Sequence, residues 1–291
     1  MTARISKISS AGVRTTVMDN LPSTQTSPNG GSDKEGVAAV TFIGNTLYAL
    51  LVGRGCSHAN PNVPNGIYRV NRNNSTWTLV ANLSQFVKTH PIKNPDVGDF
   101  EPDGNWYGMV AVNGVLYATE ANHQEVDRIT TGGKVTRVID LSTRFVPPAN
   151  WQGPTGITFH WGKFYVATLG TFPVRPGTQN LYQLTPSGVI KVAASGLTAV
   201  LGVAFDARGR LFALETDTVA GLPGPQAVGT GKVVCVNGNG TLTTVASGLT
   251  FPTGMTFGPD GNLYVSNIGF GIPKPGTGQI VRIDTRVNNC K

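Results

Sequence analysis

FPTGMTFGPDGNLYVSNIGFGIPKPGTGQIVRID, residues 251–284, holds the unit from which the rest of the chain is built. Residues 255–257 form a short apolar run. Gly258-Pro259-Asp260-Gly261 is a tight turn, because proline sets φ and glycine accepts a positive φ. Leu263, Tyr264 and Val265 form a second run. A loop rich in glycine and proline fills 267–278, and Ile280 to Ile283 alternates as a third strand. Asp-Gly between two apolar runs is a strong hairpin signal.

Copies of this pattern recur. The second run is matched by Leu47-Tyr48, Leu116-Tyr117, Phe164-Tyr165, Leu211-Phe212 and Leu263-Tyr264, at spacings of 69, 48, 47 and 52 residues. A third strand with apolar residues three apart occurs at Ile5/Ile8, Ile67/Val70, Val126/Ile129, Leu181/Leu184, Val233/Val236 and Ile280/Ile283. A fourth strand follows at 13–18, 77–83, 134–141, 189–197 and 242–249. A period of about 40–50 residues with about four strands each predicts an all-β fold, a β-propeller, in one domain over 1–291. Strands apolar on both sides are what blades need when they bury both faces.

The composition agrees. The chain has 37 Gly, 19 Pro and only 13% charged residues, and no window carries a helical period over three turns. No apolar run approaches a membrane span. The net charge of +7 is scattered rather than clustered, which argues against a nucleic-acid stripe. Cys56, Cys235 and Cys290 lack the spacing of a zinc site. Cys235 reads as a small buried side chain in a strand; Cys56 and Cys290 read as a pair if geometry allows. Asn73, Asn74, Asn82 and Asn239 begin glycosylation triplets.

Four excursions break the period. Residues 83–106, LSQFVKTHPIKNPDVGDFEPDGNW, carry too much Pro and Asp for a central strand. The others are 54–65, 171–180 and 216–231. Their positions after second strands, or before a first one, predict that all four emerge on one face, where propellers bind ligands.

The string VANLSQF…NPDVGDFEPDGNWYGMVAVNGVLYATEANHQEVDRIT resembles the ScyD/ScyE-type proteins of scytonemin-biosynthesis clusters. Asn94-Pro95-Asp96, Tyr107-Gly108 and residues 116–123 match that family's pattern, with Glu120 where the family has Asp. Residues 4–22, RISKISSAGVRTTVMDNLP, resemble its first-blade end, and 251–284 its closing blade. The wider relatives are NHL-like, gluconolactonase-like and strictosidine-synthase-like propellers, and one repeat is similar to a virginiamycin B lyase repeat. The resemblance implies six blades with an incomplete first blade. The alternative is a five-bladed ring in which 13–18 supplies the outer strand of the last blade. The family's secretion signal and opening strands have no counterpart, which implies a mature chain that is extracellular or periplasmic.

A calcium-dependent lactonase of the gluconolactonase type needs converging oxygen ligands. Here its turn positions hold Thr155 and Thr253, and its post-strand positions hold Leu169, Glu215 and Asn267, so the set is not reproduced. Ca2+ or another divalent cation stays open as a cofactor, with no metal ligands assigned. Glu120 and His123 have the side chains for acid–base work, with Glu215 as a third catalytic candidate and Asp217 beside it. The competing reading makes Asn122 a loop cap, His123 a satisfied polar residue and the acids loop residues. Trp106, Tyr107 and Trp151 are candidates to stack on a ligand, or are wedges between blades. Arg54, His58 and Arg175 lie on overhanging loops, and an arginine there can pair with an anion or stay solvated. Asn122, Asn267 and Arg175 complete the ligand-binding candidates. Asp206 and Asp260 are explained by their turns. No GxSxG, HExxH or P-loop is present.

These residues favour a secreted scaffold that binds a small molecule or protein at its loop-rich face. Two alternatives stand beside it. One is a lactone or ester hydrolase, or a lyase, working in the channel. The other is a surface protein that self-associates through an open blade edge.

Overall fold

The structure, a computed structural model, describes residues 2–27, 32–98, 100–147, 150–270, 276–286 and 290. Its contacts gather into two compact units, residues 1–28 with 33–148, and 29–32 with 149–291.

In the first unit, β1 (Thr2–Ile8) and β2 (Arg14–Pro22) form a hairpin, and β3 (Thr24–Ser27) pairs with β4 (Ser32–Glu35). The first blade is the meander β5 (Val37–Ile43), β6 (Thr46–Leu51), β7 (Gly66–Asn71) and β8 (Thr76–Asn82). Helix α1 (Leu83–Thr89) follows. The second blade is β9 (Trp106–Val112), β10 (Val115–Glu120), β11 (Glu125–Thr130) and β12 (Val135–Asp140). Leu50, Ile67 and Ala81 of the first blade pack against Trp106, Met109, Leu116 and Ile129 of the second. Leu47, Ala49, Leu51 and Val70 receive Ile5, Met18 and Leu21 of the β1–β2 hairpin. Residues three apart in a strand point to opposite faces, so Ile67 and Val70 are both buried.

In the second unit, the third blade is β13 (Pro154–His160), β14 (Lys163–Thr168), β15 (Gln179–Leu184) and β16 (Ile190–Leu197). The fourth is β17 (Val200–Phe205), β18 (Leu211–Glu215), β19 (Gly231–Val236) and β20 (Leu242–Leu249). The fifth holds β21 (Gly254–Phe257), β22 (Leu263–Asn267) and β23 (Gln279–Ile283). Phe212, Val233 and Cys235 of the fourth blade pack on Leu263 and Val265 of the fifth.

The blade count corrects the sequence expectation. Among the described residues, five sheets of blade form are present, not six. The Ile5/Ile8 strand, taken as a sixth blade's third strand, belongs to a two-stranded hairpin. It covers only one of its faces, and Ile8 is left exposed. Five blades was the alternative, but its closing strand differs. Residues 13–18 do not extend the last sheet: Met18 pairs with Ile5, and Arg14 with Ile8.

The pairing of Cys56 with Cys290 that the sequence left open is not made. Cys290 is bonded to Cys235 across 55 residues of sequence, and Cys56 is free and exposed. The excursion at 83–106 contains a two-turn helix. Asn82 caps it by accepting from Gln85 N at 2.9 Å, and Leu83, Phe86 and Val87 are buried.

Candidate functional site

One backbone bond recurs in every blade. The first residue past the second strand donates its N–H to a carbonyl in the connection that enters the first strand. The pairs are Val52 to Gly36 at 2.8 Å, Ala121 to Asn105 at 2.9 Å, Leu169 to Gly153 at 3.0 Å, Thr216 to Ala199 at 3.0 Å and Ile268 to Thr250 at 2.8 Å. Three blades add a side chain to this clasp. Glu120, Glu215 and Asn267 each end a second strand. Glu120 Oε1 accepts from Asn105 N, Glu215 Oε1 from Thr198 N at 2.6 Å, and Asn267 Oδ1 from Thr250 N at 2.8 Å.

The two acidic candidates are therefore occupied. Glu120 is fully buried, and its second oxygen accepts from His123 N. Burial, then the charge of Glu125, pushes its carboxyl well above the usual range against these N–H donors. Glu215 is buried too, and its Oε2 lies 3.1 Å from Lys232 Nζ. Burial raises its carboxyl, and Lys232 opposes the rise. His123 points elsewhere: its Nε2 bonds to Glu101 O at 2.8 Å, and the ring stacks on Phe100 at 4.8 Å. Burial lowers its pKa, so the imidazole is neutral at pH 7 and Nε2 carries the proton. Glu120 and His123 thus serve different partners, while Glu215 belongs to the other compact unit.

The remaining candidates divide the same way. Asn122 Oδ1 accepts from Glu101 N at 2.8 Å, the loop-capping role. Trp106 is buried between the blades, and its Nε1 donates to Asp127 Oδ2 at 3.1 Å. Tyr107 is half-buried, and burial raises its phenol. Half-buried Trp151 lies over Gly153, where a Cβ would meet its ring at 2.1 Å. Asn267 Nδ2 reaches Gln279 Oε1 at 3.4 Å. Arg175 is exposed, and its carbonyl accepts from the Thr178 hydroxyl at 2.7 Å.

Beneath Trp106 sits a carboxylate cluster that the sequence did not flag. Glu125 and Asp127, on β11, are fully buried with Glu120 nearby. Arg137, on β12, pairs with Glu125. Burial, then Asp127, pushes Glu125 well up. Burial raises Asp127 to about 7 against the Trp106 donor.

The loop end of the first unit is organised by His58, already placed on an overhanging loop by its sequence, together with Glu35, Glu101, Asp103 and Asn105, which sequence reasoning missed. His58 Nε2 lies 3.1 Å from Glu35 Oε2 and 3.2 Å from Glu101 Oε2, so one imidazole ties β4 to the 83–105 connection. Asn105 Nδ2 donates to Glu35 Oε1 at 2.8 Å. Asp103 accepts from Cys56 N at 2.8 Å and Ser57 N at 3.3 Å, and it pairs with Lys88. Burial opposes its ionisation, but Lys88 and these amides hold its carboxyl below the usual range. Gly55 makes this approach feasible, because a Cβ there would stand 2.1 Å from Asp103 Cγ. The sequence signals were slight: Glu35-Gly36 just before an inner strand, and Pro102-Asp103-Gly104 inside an excursion whose Pro and Asp only argued against a strand.

Among the described residues, no group of three or more His, Cys, Asp and Glu is set to hold a metal ion. No helix there is long and apolar enough to cross a membrane. A shallow crease of about 280 Å³ lies at the opposite end of the first blade, lined by Asn45, Arg69, Arg72 and Thr76.

Comparison with known proteins fixes the architecture. No protein-family model and no curated protein sequence matches the chain. Solved structures do. A chain of a nidogen/laminin complex is similar over 87% of this chain and 76% of its own, at 14% identity and a TM-score of 0.57. The luciferin-regenerating enzyme is similar over 91% and 76%, at 12% identity and 0.53. A candidate gluconolactonase is similar over 80% and 72%, at 11% identity and 0.50. The chain is a β-propeller. At these identities the likeness shows the fold alone, since unrelated functions share propellers.

Proposed function

We propose that this protein is a secreted, non-catalytic propeller of the ScyD/ScyE type that binds a protein partner through its loop end. One observation carries the reading: the loops spend their polar groups on one another and turn apolar side chains outward. In the first unit, Val97 is 91% exposed, and Phe100 stands out on the buried ring of His123. In the second, Phe172, Leu222 and Val228 are exposed on the loops that follow β14 and β18. Phe100, backed by the His123 ring, is the kind of aromatic anchor around which protein interfaces are built, with the exposed aliphatic residues as its surround. The nidogen/laminin neighbour is a fold-level precedent for such binding. The Cys235–Cys290 bond supports an oxidising compartment.

The enzyme alternative needs a free acid, and Glu120 and Glu215 are both bound to backbone amides. Cross-linking capture from the native source tests the proposal. The wild-type protein and Val192→Asp, altered on an outer strand, should retain the same partner, and Val97→Asp/Phe100→Asp should lose it. Equal capture by the loop variant, or lactone turnover abolished by Glu120→Gln, overturns it.

A further inference from the structure

The internal repeat supplies its own control for one residue. The β9–β10 turn is Asn113-Gly114, with φ of 49° and 76°. The β13–β14 turn is Trp161-Gly162, with φ of 48° and 76°. Both residues of each turn are left-handed, a conformation that asparagine and glycine tolerate and a bulky residue resists. Trp161 therefore breaks the turn rule that Asn113 obeys. It is also 75% exposed, so it gives no core packing in return. Where a chain breaks a local rule without a folding gain, function is the first explanation.

The surroundings hold the indole in place. The His160 ring lies 4.2 Å from it and is itself stacked on Phe205 at 4.2 Å, and Phe205 meets Tyr165 edge-on. The indole edge rests on the neighbouring β17–β18 turn at Gly209, where a Cβ would stand 3.1 Å away. Lys163 follows the turn, and exposed Arg208 precedes Gly209. The one carboxylate of that turn, Asp206, is paired with Arg210 at 2.7 Å. The result is a solitary, buttressed aromatic plate, with Lys163 just after its own turn and Arg208 next to the glycine it touches.

We propose that Trp161 is a stacking platform for a pyranose ring of an acidic polysaccharide, with Lys163 and Arg208 of the two adjoining turns meeting the sugar's carboxylate or sulfate. A pyranose offers an apolar C–H face to an indole and polar groups around its edge. An extended apolar partner would need more than one exposed side chain there. The overall charge of +7 favours an anionic polymer. The site lies at the end of the third and fourth blades opposite their long loops, so it is independent of the protein-binding reading.

Native affinity electrophoresis at physiological salt tests this, with polygalacturonate or neutral hydroxyethyl cellulose cast in the gel. Polygalacturonate should retard the wild-type protein, and Trp161→Asn should weaken retention about tenfold. Trp161→Asn installs the turn's preferred residue and keeps every charge, so neither misfolding nor bulk electrostatics mimics the loss. Arg208→Gln should weaken retention by polygalacturonate only. Wild-type retention absent in polygalacturonate, equal in the neutral gel, or unchanged in Trp161→Asn overturns the assignment.

Discussion

Asn267 accepts the N–H of Thr250 at 2.8 Å, and in doing so repeats with an amide what Glu215 does for Thr198 with a carboxylate. The clasp needs an oxygen at that point, not a charge. This separates a residue's position in the repeat from the chemistry its side chain suggests. An acid after a second strand looks catalytic when only sequence is read, and here it closes the loop end of its own blade.

Replacing Glu215 therefore distinguishes oxygen from charge. Glu215→Ala leaves a buried N–H without an acceptor and should destabilise by about 1–3 kcal/mol. Glu215→Gln keeps the acceptor for Thr198 N and gives up the Lys232 pair, whose lysine still reaches solvent, so it should cost less than Glu215→Ala. Urea denaturation of the two variants measures the difference.

The cluster beneath Trp106 makes stability depend on pH. Asp127 titrates near 7 in the folded protein, against about 4 for an ordinary aspartate. The folded state binds the proton more tightly, so stability is greatest at acid pH within this window and falls as pH rises from about 4 to 7. Arg137, facing the pair from β12, offsets part of one carboxylate's charge, with Glu120 adding to the negative side. The melting temperature should drop between pH 5 and pH 8, with a slope of at most about 1.4 kcal/mol per pH unit for one proton. Asp127→Asn keeps an acceptor for the Trp106 N–H and should flatten that dependence.

Thiol counting checks the cysteines. The native protein should show one thiol, Cys56, reacting rapidly with a disulfide reagent, and the reduced, denatured chain should show all three. Reduction opens a loop of 55 residues, which chain-entropy reasoning places at up to about 4 kcal/mol.

The Trp161 turn has a stability signature of its own. Trp161→Asn should raise stability by about 1 kcal/mol, because asparagine tolerates the left-handed conformation that tryptophan resists. Thermal melts would show it as a few degrees.

The strand pattern was legible because it is periodic. Leu116-Tyr117 and its copies lie on the second strands, and Ile67/Val70 marks a strand buried on both faces. The blade count was misread because Ile5/Ile8 carries the same spacing in a hairpin that covers one face only. Helix α1 was missed because two turns give too few repeats of a 3.6-residue period. Cys235 was hidden as a partner because sequence separation does not encode the approach of two Cβ atoms. Glu35, His58 and Glu101 meet from three separate segments, and no spacing announces such a meeting.

Amide hydrogen exchange at Thr198 tests the central claim, that Glu215 holds the backbone N–H at the loop end of its blade. In the wild-type protein and in Glu215→Gln that amide should be protected to a similar degree. In Glu215→Ala it should exchange at least about tenfold faster, as expected for loss of a buried acceptor worth 1.4 kcal/mol or more. Protection at Thr198 unchanged by Glu215→Ala would show that the carboxylate is not the clasp, and would contradict the account.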